Sequence, residues 1–290
     1  MKKTLLSLTN DYVFKRVFGE HLPVLADFLQ AVLDQPVTVD DIRVLNPSFA
    51  ADKKGDKLSA LDIKVTTKKY GVIDVEIQIE FYEDLWKRFQ YYTARMYVEQ
   101  MRRGDDYENL TRAISIIVVD FVCFKDDDEE KEKDEEAVRY HHRFRFFDKI
   151  NKVEYPSSME INILEIPKRQ GSSSKISQWL EFFAARTEEQ FMRLAQANPA
   201  MEQAWGVIQE MSADEREREA AEAAEKARRD MVSRIRYAES KARAEGVEEG
   251  IFSILSYMLD QGRSAEEIST ATGISVEKVA SAAAKMSKMQ

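Results

Sequence analysis

The amino-acid sequence predicts an α/β (α+β) protein, in which a mixed-sheet domain is followed by an all-helical C-terminal region. Three observations support this prediction. Residues 59–81 hold two runs of alternating apolar and polar residues around a short polar break, which is typical of a β-hairpin. Residues 113–124 are almost all apolar and rich in β-branched side chains, as expected of a central strand buried on both faces. From residue 176 onward the pattern is helical.

The N-terminal segment predicts two helices and a strand. Apolar residues recur at helical spacing over residues 10–33, and Gly19 and Pro23 indicate a break between two helices. The stretch "IRVLNP" at residues 42–47 predicts a short strand that ends at its proline. The hairpin follows, and after it residues 83–103 predict a long amphipathic helix.

The rest of the chain completes the sheet and then becomes helical. Two alternating segments after the central strand, 139–150 and 159–168, predict its remaining strands. The stretch "RQGSSSK" at 169–175 is a linker signal. We therefore expect four parts: a mixed domain at 1–168, a helical extension at 169–212, a long charged helix at 213–250 and a small helix-turn-helix-like tail at 251–290.

The charge distribution leaves a nucleic-acid partner open. The formal net charge is −9, which by itself disfavours DNA binding. However, residues 126–136 hold nine acids and two lysines, so most of the imbalance lies in one segment that we expect to be a solvated loop. The remainder is nearly neutral, and net charge does not decide the partner.

Cysteine content and hydropathy indicate the compartment. The single cysteine, Cys123, excludes an internal disulfide and fits a reducing environment. The apolar part of residues 1–12 is too short for a signal peptide, and no segment approaches the apolar length of a membrane helix. We therefore expect a cytoplasmic protein without membrane association.

The register of the hairpin follows from its alternation. Pairing apolar with apolar side chains allows only registers in which paired residue numbers sum to an even value. A sum of 138 leaves residues 68–70 as a three-residue loop, a common hairpin length. This register sets Lys64 opposite Asp74 as an ion pair. It also sets Asp62 opposite Glu76, with Cβ atoms about 5 Å apart.

Two carboxylates directly opposite each other destabilise a sheet unless a partner compensates them. A divalent cation between Asp62 and Glu76 would do so, since Mg²⁺ takes oxygen ligands in an octahedron and keeps waters at its remaining positions. Gln78, two residues beyond Glu76, adds a third polar group on the same face. The alternative is a polar strand face that is exposed to solvent.

Five separated segments, taken together, resemble one known family. They are "NDYVFKRVFGE", "LDIKVTTKKYGVIDVEIQ", "RFQYYTARMYVEQMRRGDDYENL", "AISIIVVDF" and "MEINILEIPK". In this order they resemble the Rpn family of recombination-promoting nucleases and transposases, within the PD-(D/E)xK nuclease superfamily, over about residues 8–168. The resemblance implies a restriction-endonuclease-like αβββαβ core in a nuclease-like domain. It also implies Mg²⁺-dependent cleavage of DNA in recombination or mobile-element biology.

The family pattern is an acid on one strand, then Glu-x-Lys or Glu-x-Gln on the next. It carries over onto Asp62, and onto Glu76 and Gln78. The resemblance implies that Asp62 and Glu76 bind Mg²⁺, with Mn²⁺ as a substitute, and that Gln78 completes the catalytic set. Gln78 stands where the superfamily usually has lysine, so it could orient water but is poorer at stabilising negative charge. Lys64 could donate the missing charge, although an ion pair with Asp74 is its expected use.

Further residues have weaker assignments. Four side chains on the hairpin and the following helix are candidates for DNA contact, with packing or solvation as the alternative: Lys64, Arg88, Tyr92 and Arg95. Asp11 and Glu20 could add an acid to the metal site, although helix capping by Asn10 or Asp11 and surface exposure are the expected uses.

The tail at 263–288 has the pattern helix, tight turn, helix, with a capping box at Ser264 and Glu267. Its Ala-rich second helix favours packing or a homo-oligomer through the C-terminal helices, with DNA contact as the second interpretation.

The sequence leaves two functions open for the whole protein. One is a Mg²⁺-dependent DNA endonuclease, and the other is a catalytically degenerate nuclease fold that binds DNA or assembles proteins. Gln78 and the acidic segment motivate the second.

Overall fold

A computed structural model describes residues 5–45, 62–125, 140–156, 158–169 and 174–289. The predicted acidic loop at 126–136, the end of the first predicted strand at Pro47 and the centre of the predicted linker at 170–173 lie outside these residues.

The N-terminal helices are α1, Asp11–Glu20, and α2, Leu22–Leu33, with the predicted break between them at His21. Asn10 caps α1, since its side chain accepts hydrogen bonds from the backbone N–H groups of Tyr12 and Val13.

The predicted mixed sheet is confirmed. Its strands are β1 Ile42–Leu45, β2 Ile63–Thr67, β3 Gly71–Gln78, β4 Ala113–Val119, β5 His141–Phe144 and β8 Met159–Glu165. Between β5 and β8 in the chain, β6 Phe147–Asp148 and β7 Val153–Glu154 form a separate small hairpin. The spatial order in the described sheet is β1-β2-β3-β4-β8-β5. β4 runs parallel to β3 and β8, and the other pairs are antiparallel. Helix α3, Leu85–Val98, links β3 to β4, which gives the αβββαβ order.

The hairpin has the predicted register. Ile63 pairs with Val75, Lys64 with Asp74, and the ladder ends at Thr67 and Gly71, which leaves residues 68–70 as the loop. Because the side-chain period of a strand is two residues, this register sends Ile63 and Val65 of β2 and Ile73, Val75 and Ile77 of β3 to one face, whereas Val72 lies on the other face beside α3.

Both faces of the sheet are covered by helices. After the sheet come α4 Lys175–Ala184, α5 Glu188–Ala195 and α6 Pro199–Ala213. One apolar cluster joins the apolar face of β2, β3 and β4 to α1, α2 and these three helices. At its centre is a group of fully buried aromatic side chains: Phe14, Phe18, Phe28, Trp179 and Phe183. Helix α3 covers the other face, through Leu85 and Phe89 against Ile117 and Ile163.

Helix α7, Glu215–Asp260, follows and contains the predicted boundary at residue 250. The chain divides within α7, between Glu225 and Lys226, into two compact units. In the first unit the start of α7 contacts α1, since Arg16 pairs with Glu217 at 3.2 Å and Asn10 Nδ2 donates to the carbonyl of Ala221 at 2.9 Å.

The second unit contains the end of α7 with α8 Ala265–Thr272 and α9 Val276–Met289. The predicted helix, turn and helix are present, with the Ser264–Glu267 capping box and Gly273 in the left-handed conformation. Their small core holds Leu255, Ile268 and Val279. No helix in the described part of the chain combines the length and hydropathy that a transmembrane segment needs.

Gly71 fixes the point where the hairpin meets the central strand. Its φ is +79°, and a Cβ there would lie 2.7 Å from the backbone nitrogen of Arg112 and closer still to its carbonyl oxygen. We expect Gly71→Ala to destabilise the protein by about 3 kcal/mol or more, because strain and a backbone clash add. Gly104→Ala is the matched control, since Gly104 has φ +96° with nothing within 4 Å of its Cβ position, and it should cost about 1 kcal/mol. Chemical denaturation would contradict this account if the two variants were equally stable.

Candidate active site

Asp62 lies directly before β2, and its carboxylate is bound to the neighbouring strand. The Oδ2 atom accepts a hydrogen bond from the backbone N–H of Ile77 at 3.1 Å. Ile77 follows Glu76, so the side chain of Asp62 is held beside the β3 residue that the register predicts to be its partner. The side chain is 14% exposed. The acid is thus largely, though not completely, removed from solvent at the end of a strand pair.

Asp74 is a third acid at the same place. It lies two residues before Glu76 on β3, so both side chains share the face that α3 covers. Asp74 is 1% exposed and shares a side-chain hydrogen bond with Glu76. Its Oδ1 atom has no hydrogen-bond partner among the described residues, which is costly for a buried carboxyl group. Such an atom is a fitting position for a missing ligand.

The sequence indicated a different use for Asp74, as an ion-pair partner of Lys64. The two residues do face each other in the register, and the charge of Lys64 lowers the pKa of Asp74. The Lys64 ammonium also reaches Glu99 at the end of α3, at 3.4 Å. Alternation along β3 gives the face of Asp74, but it does not show that the helix buries it.

The pKa values of all three acids are raised. Burial, followed by the charge of Asp11 and then that of Glu76, raises the pKa of Asp62 to about 7, although Lys15 opposes the shift. Burial, then the charges of Glu76 and Asp62, raises the pKa of Asp74 well above its usual range. Burial also raises the pKa of Glu76, against the Asp74 hydrogen bond and the charges of Arg88 and Lys15. The three carboxyl groups are therefore close enough to interact, and nearby positive charge does not offset their burial.

Other buried acids in the fold are compensated. Glu160 is 2% exposed and binds both Arg112 and Arg145 at 2.7 Å. Glu165 is fully buried and binds Lys168 at 3.0 Å and His142 at 2.9 Å. The contrast identifies Asp74, whose buried Oδ1 atom has no hydrogen-bond partner among the described residues, as the acid whose position stability alone does not explain.

Helix α1 brings a cation to these acids. The Lys15 ammonium lies 3.1 Å from Asp62 Oδ1 and 2.9 Å from Asp11 Oδ2. Asp11 is one turn before Lys15 on the helix, and its charge is among those that raise the pKa of Asp62. Glu20 pairs instead with Arg16. Sequence reasoning considered Asp11 but missed Lys15, whose contact with Asp62 depends on how α1 packs against β2.

Gln78 is half-buried at the end of β3. Its side-chain Nε2 donates to the backbone carbonyl of Glu80 at 2.8 Å. This hydrogen bond restrains the amide, and an amide carries no charge to offset the acids beside it.

The four residues predicted to contact DNA have different surroundings. Arg88 on α3 is half-buried, and its charge lowers the pKa of Glu76. Lys64 and Arg95 both pair with Glu99. Tyr92 is half-buried and packs against the small apolar cluster beneath α3. Arg88 is therefore the candidate with an observed electrostatic link to the acids.

The donor set limits the kind of metal ion that fits. In the described part of the chain no group of three or more His, Cys, Asp or Glu side chains is arranged to hold a metal ion. A closed protein cage is thus absent there. Two carboxylates with an orphaned oxygen beside them suit a hard cation such as Mg²⁺, which uses one or two carboxylates and takes its other oxygens from water or substrate phosphates. The residues present fit such an ion.

A sequence-family model described as PD-(D/E)XK nuclease family transposase matches residues 8–238. The match extends the resemblance predicted over 8–168 through α4–α6 and into α7. No curated protein and no solved structure matches the chain. Nucleases of this kind generally use divalent metals. The family model covers most of the sequence, and the chain belongs to the PD-(D/E)XK nuclease family of transposases.

Proposed function

We propose that the protein is a Mg²⁺-dependent DNA endonuclease of the cytoplasm that acts in recombination or mobile-element biology. One observation carries the proposal. Asp62 is bound to the β3 backbone at Ile77, next to Glu76, and the Oδ1 atom of the neighbouring Asp74 is buried without a hydrogen-bond partner among the described residues. Membership of a nuclease family supports the reaction class, and DNA is the substrate that this family implies.

Asp62 and Glu76 would hold the ion, with Mn²⁺ as a substitute for Mg²⁺. The bound ion supplies polarisation of a phosphoryl oxygen and a lowered pKa for a bound water. In the hydrolysis the water oxygen bonds to phosphorus as the bond from phosphorus to one sugar oxygen breaks. A proton from the water ends on that sugar oxygen, which leaves a phosphate monoester and a hydroxyl. Gln78, restrained by Glu80, would orient the water through its remaining amide groups.

The DNA backbone would lie along α3 and the hairpin. Arg88 is the first candidate for a phosphate contact, because its charge already acts at Glu76. Lys64 and Arg95 would exchange part of their pairing with Glu99 for a phosphate. Tyr92 would add a sugar or base contact at the same surface.

We further propose that the C-terminal helices form a homo-oligomer. Val247, Ile254 and Tyr257 are more than half exposed on α7, at spacings of seven and three residues, so they share one side of the helix. Light scattering on the full chain should give a mass above that of one copy, and a strictly monomeric mass would exclude this assembly.

A catalytically degenerate fold that binds DNA or other proteins is the second candidate. The observation that favours it is the hydrogen bond from Gln78 to Glu80, in the place where the superfamily usually has a charged lysine. Such a protein would bind DNA and leave it intact.

Plasmid cleavage separates the two candidates. Purified protein with supercoiled plasmid and Mg²⁺ or Mn²⁺ should give nicked or linear DNA, and EDTA should prevent this. A double variant, Asp62→Asn with Glu76→Gln, prepared in parallel, controls for contaminating nucleases. A retarded but intact plasmid under every metal condition would overturn the endonuclease proposal in favour of the degenerate fold.

A further inference from the structure

The β3 motif of this chain lacks a cation. Gln78 stands at the position where the superfamily usually has lysine, and its Nε2 is engaged by the Glu80 carbonyl. Phosphodiester cleavage nevertheless increases negative charge on the phosphoryl oxygens, and a fixed cation at that point stabilises the transition state. The proposed reaction therefore requires another source of positive charge near Asp62 and Glu76.

We propose that Lys15 of α1 supplies this charge and contacts the DNA phosphate at the site. The inference rests on the proposed nuclease function and adds a catalytic residue to it. The Lys15 ammonium is in direct contact with Asp62 Oδ1, at 3.1 Å, and its charge also lowers the pKa of Glu76. It thus contacts one acid of the motif and acts electrostatically on the other, although it comes from a different element.

The donor count leaves Lys15 capable of binding a phosphate. A lysine ammonium has three N–H donors. Two are directed at Asp62 and Asp11, and the described residues offer no third acceptor. The side chain is 36% exposed, so the remaining donor is accessible to a substrate oxygen.

Other cations near the acids have different contacts. Lys64, the residue that the sequence suggested for this role, is within 3.4 Å of Glu99 and lies across from Asp74 rather than Asp62. Arg88 influences Glu76 through its charge. Lys15 combines a direct contact to Asp62 with exposure, and this combination distinguishes it from both.

The position of Lys15 is fixed by its helix. Phe14 and Phe18, on either side of it in the sequence, are fully buried in the aromatic cluster. Asn10 and Arg16 tie α1 to the first turns of α7. A charge presented from a rigid helix is preorganised, which is the condition under which it accelerates a reaction.

Lys15 should affect cleavage and metal binding in opposite directions. As a cation that acts on the phosphate, it assists the reaction. As a cation beside Asp62, it repels a divalent ion and lowers the affinity of the site for metal. A purely structural lysine would instead support both properties, because its loss would disturb the acids.

The test uses the full chain with two substitutions and a matched control. Lys15→Met removes the charge, and Lys15→Arg keeps it. Lys175→Met is the control, since Lys175 binds Asp27 at 2.7 Å with side-chain exposures of 43% and 18%, close to the 36% and 14% of Lys15 and Asp62. Plasmid cleavage is measured with Mg²⁺, and Mn²⁺ affinity is measured by calorimetry without DNA.

We expect Lys15→Met to lower the cleavage rate about 100-fold, the typical effect of losing one charge-stabilising donor. It should also raise Mn²⁺ affinity about threefold or more, because a nearby like charge is removed. Lys15→Arg should keep more of the cleavage rate than Lys15→Met, and Lys175→Met should change neither quantity.

Two results would overturn the inference about Lys15 and leave the proposed nuclease function in place. One is an active wild-type protein with Lys15→Met cleaving equally fast. The other is a Lys15→Met variant that loses cleavage and Mn²⁺ affinity together, which would assign Lys15 a structural role. Wild-type protein that cleaves under no metal condition would remove the proposed function, and the inference with it.

Discussion

Asp62→Asn and Glu76→Gln are each expected to lower Mg²⁺-dependent DNA cleavage by about 1,000-fold or more, since each removes a charged ligand of the proposed ion. Both substitutions keep the shape of the side chain. Neither should unfold the protein, because burial and like charge already disfavour the ionised form of both acids. Thermal unfolding in EDTA should give melting temperatures at least equal to that of the wild type.

Glu210→Gln is the matched control for these variants. Glu210 is an exposed carboxylate on α6, outside the acid group, and its neutralisation should change neither cleavage nor stability. Equal cleavage by wild type, Asp62→Asn and Glu76→Gln would remove the assignment of these residues. Loss of cleavage accompanied by unfolding would show a structural role instead.

The second large effect concerns stability and pH in the absence of metal. The pKa of Asp62 is raised to about 7 in the folded protein, whereas an unfolded aspartate titrates near its usual value of 3.8. Between these values the folded state binds more protons than the unfolded state, so the contribution of Asp62 to stability falls as pH rises. The loss is complete above pH 7 and reaches about 4 kcal/mol for a shift of this size.

Differential measurement isolates this contribution. The free energy of unfolding is measured in EDTA from pH 4 to pH 8 for wild type and for Asp62→Asn, because acids outside the interacting group of Asp62, Asp74 and Glu76 contribute equally to both. Relative to the variant, the wild type should lose stability across this range. Excess Mg²⁺ should restore the stability that the wild type loses relative to the variant at pH 8. It should have little effect at pH 4, where protons compete with the ion for the carboxylates. The raised pKa would be contradicted if the free energy of unfolding of the wild type, relative to that of Asp62→Asn, stayed constant or increased as the pH rises.

The sequence was sufficient for the fold class and for the hairpin register. Alternation with period two and a three-residue loop leave one favourable pairing, and Ile63 faces Val75 as that pairing requires. Buried strands of β-branched residues identify the central strand β4 in the same local way. These features depend on short-range patterns, which is why one sequence was enough.

Lys15 and Asp74 could not be assigned from local patterns. The contact of Lys15 with Asp62 depends on how α1 packs in the aromatic cluster. The side chains of that cluster come from several elements that are distant in sequence. Asp74 was predicted to be an ion-pair partner of Lys64, and the covering by α3 that removes it from solvent is not visible in the alternation of β3. The distant contacts of α1 with α7 also give a physical reason for the family match to continue beyond residue 168.

A calorimetric titration of Mn²⁺ into the metal-free protein tests the central claim most directly. Joint binding by Asp62 and Glu76 predicts one saturable site in the wild type that is lost in Asp62→Asn and equally in Glu76→Gln, while Glu210→Gln retains it. Unchanged affinity in either of the first two variants would show that Asp62 and Glu76 do not hold a shared ion.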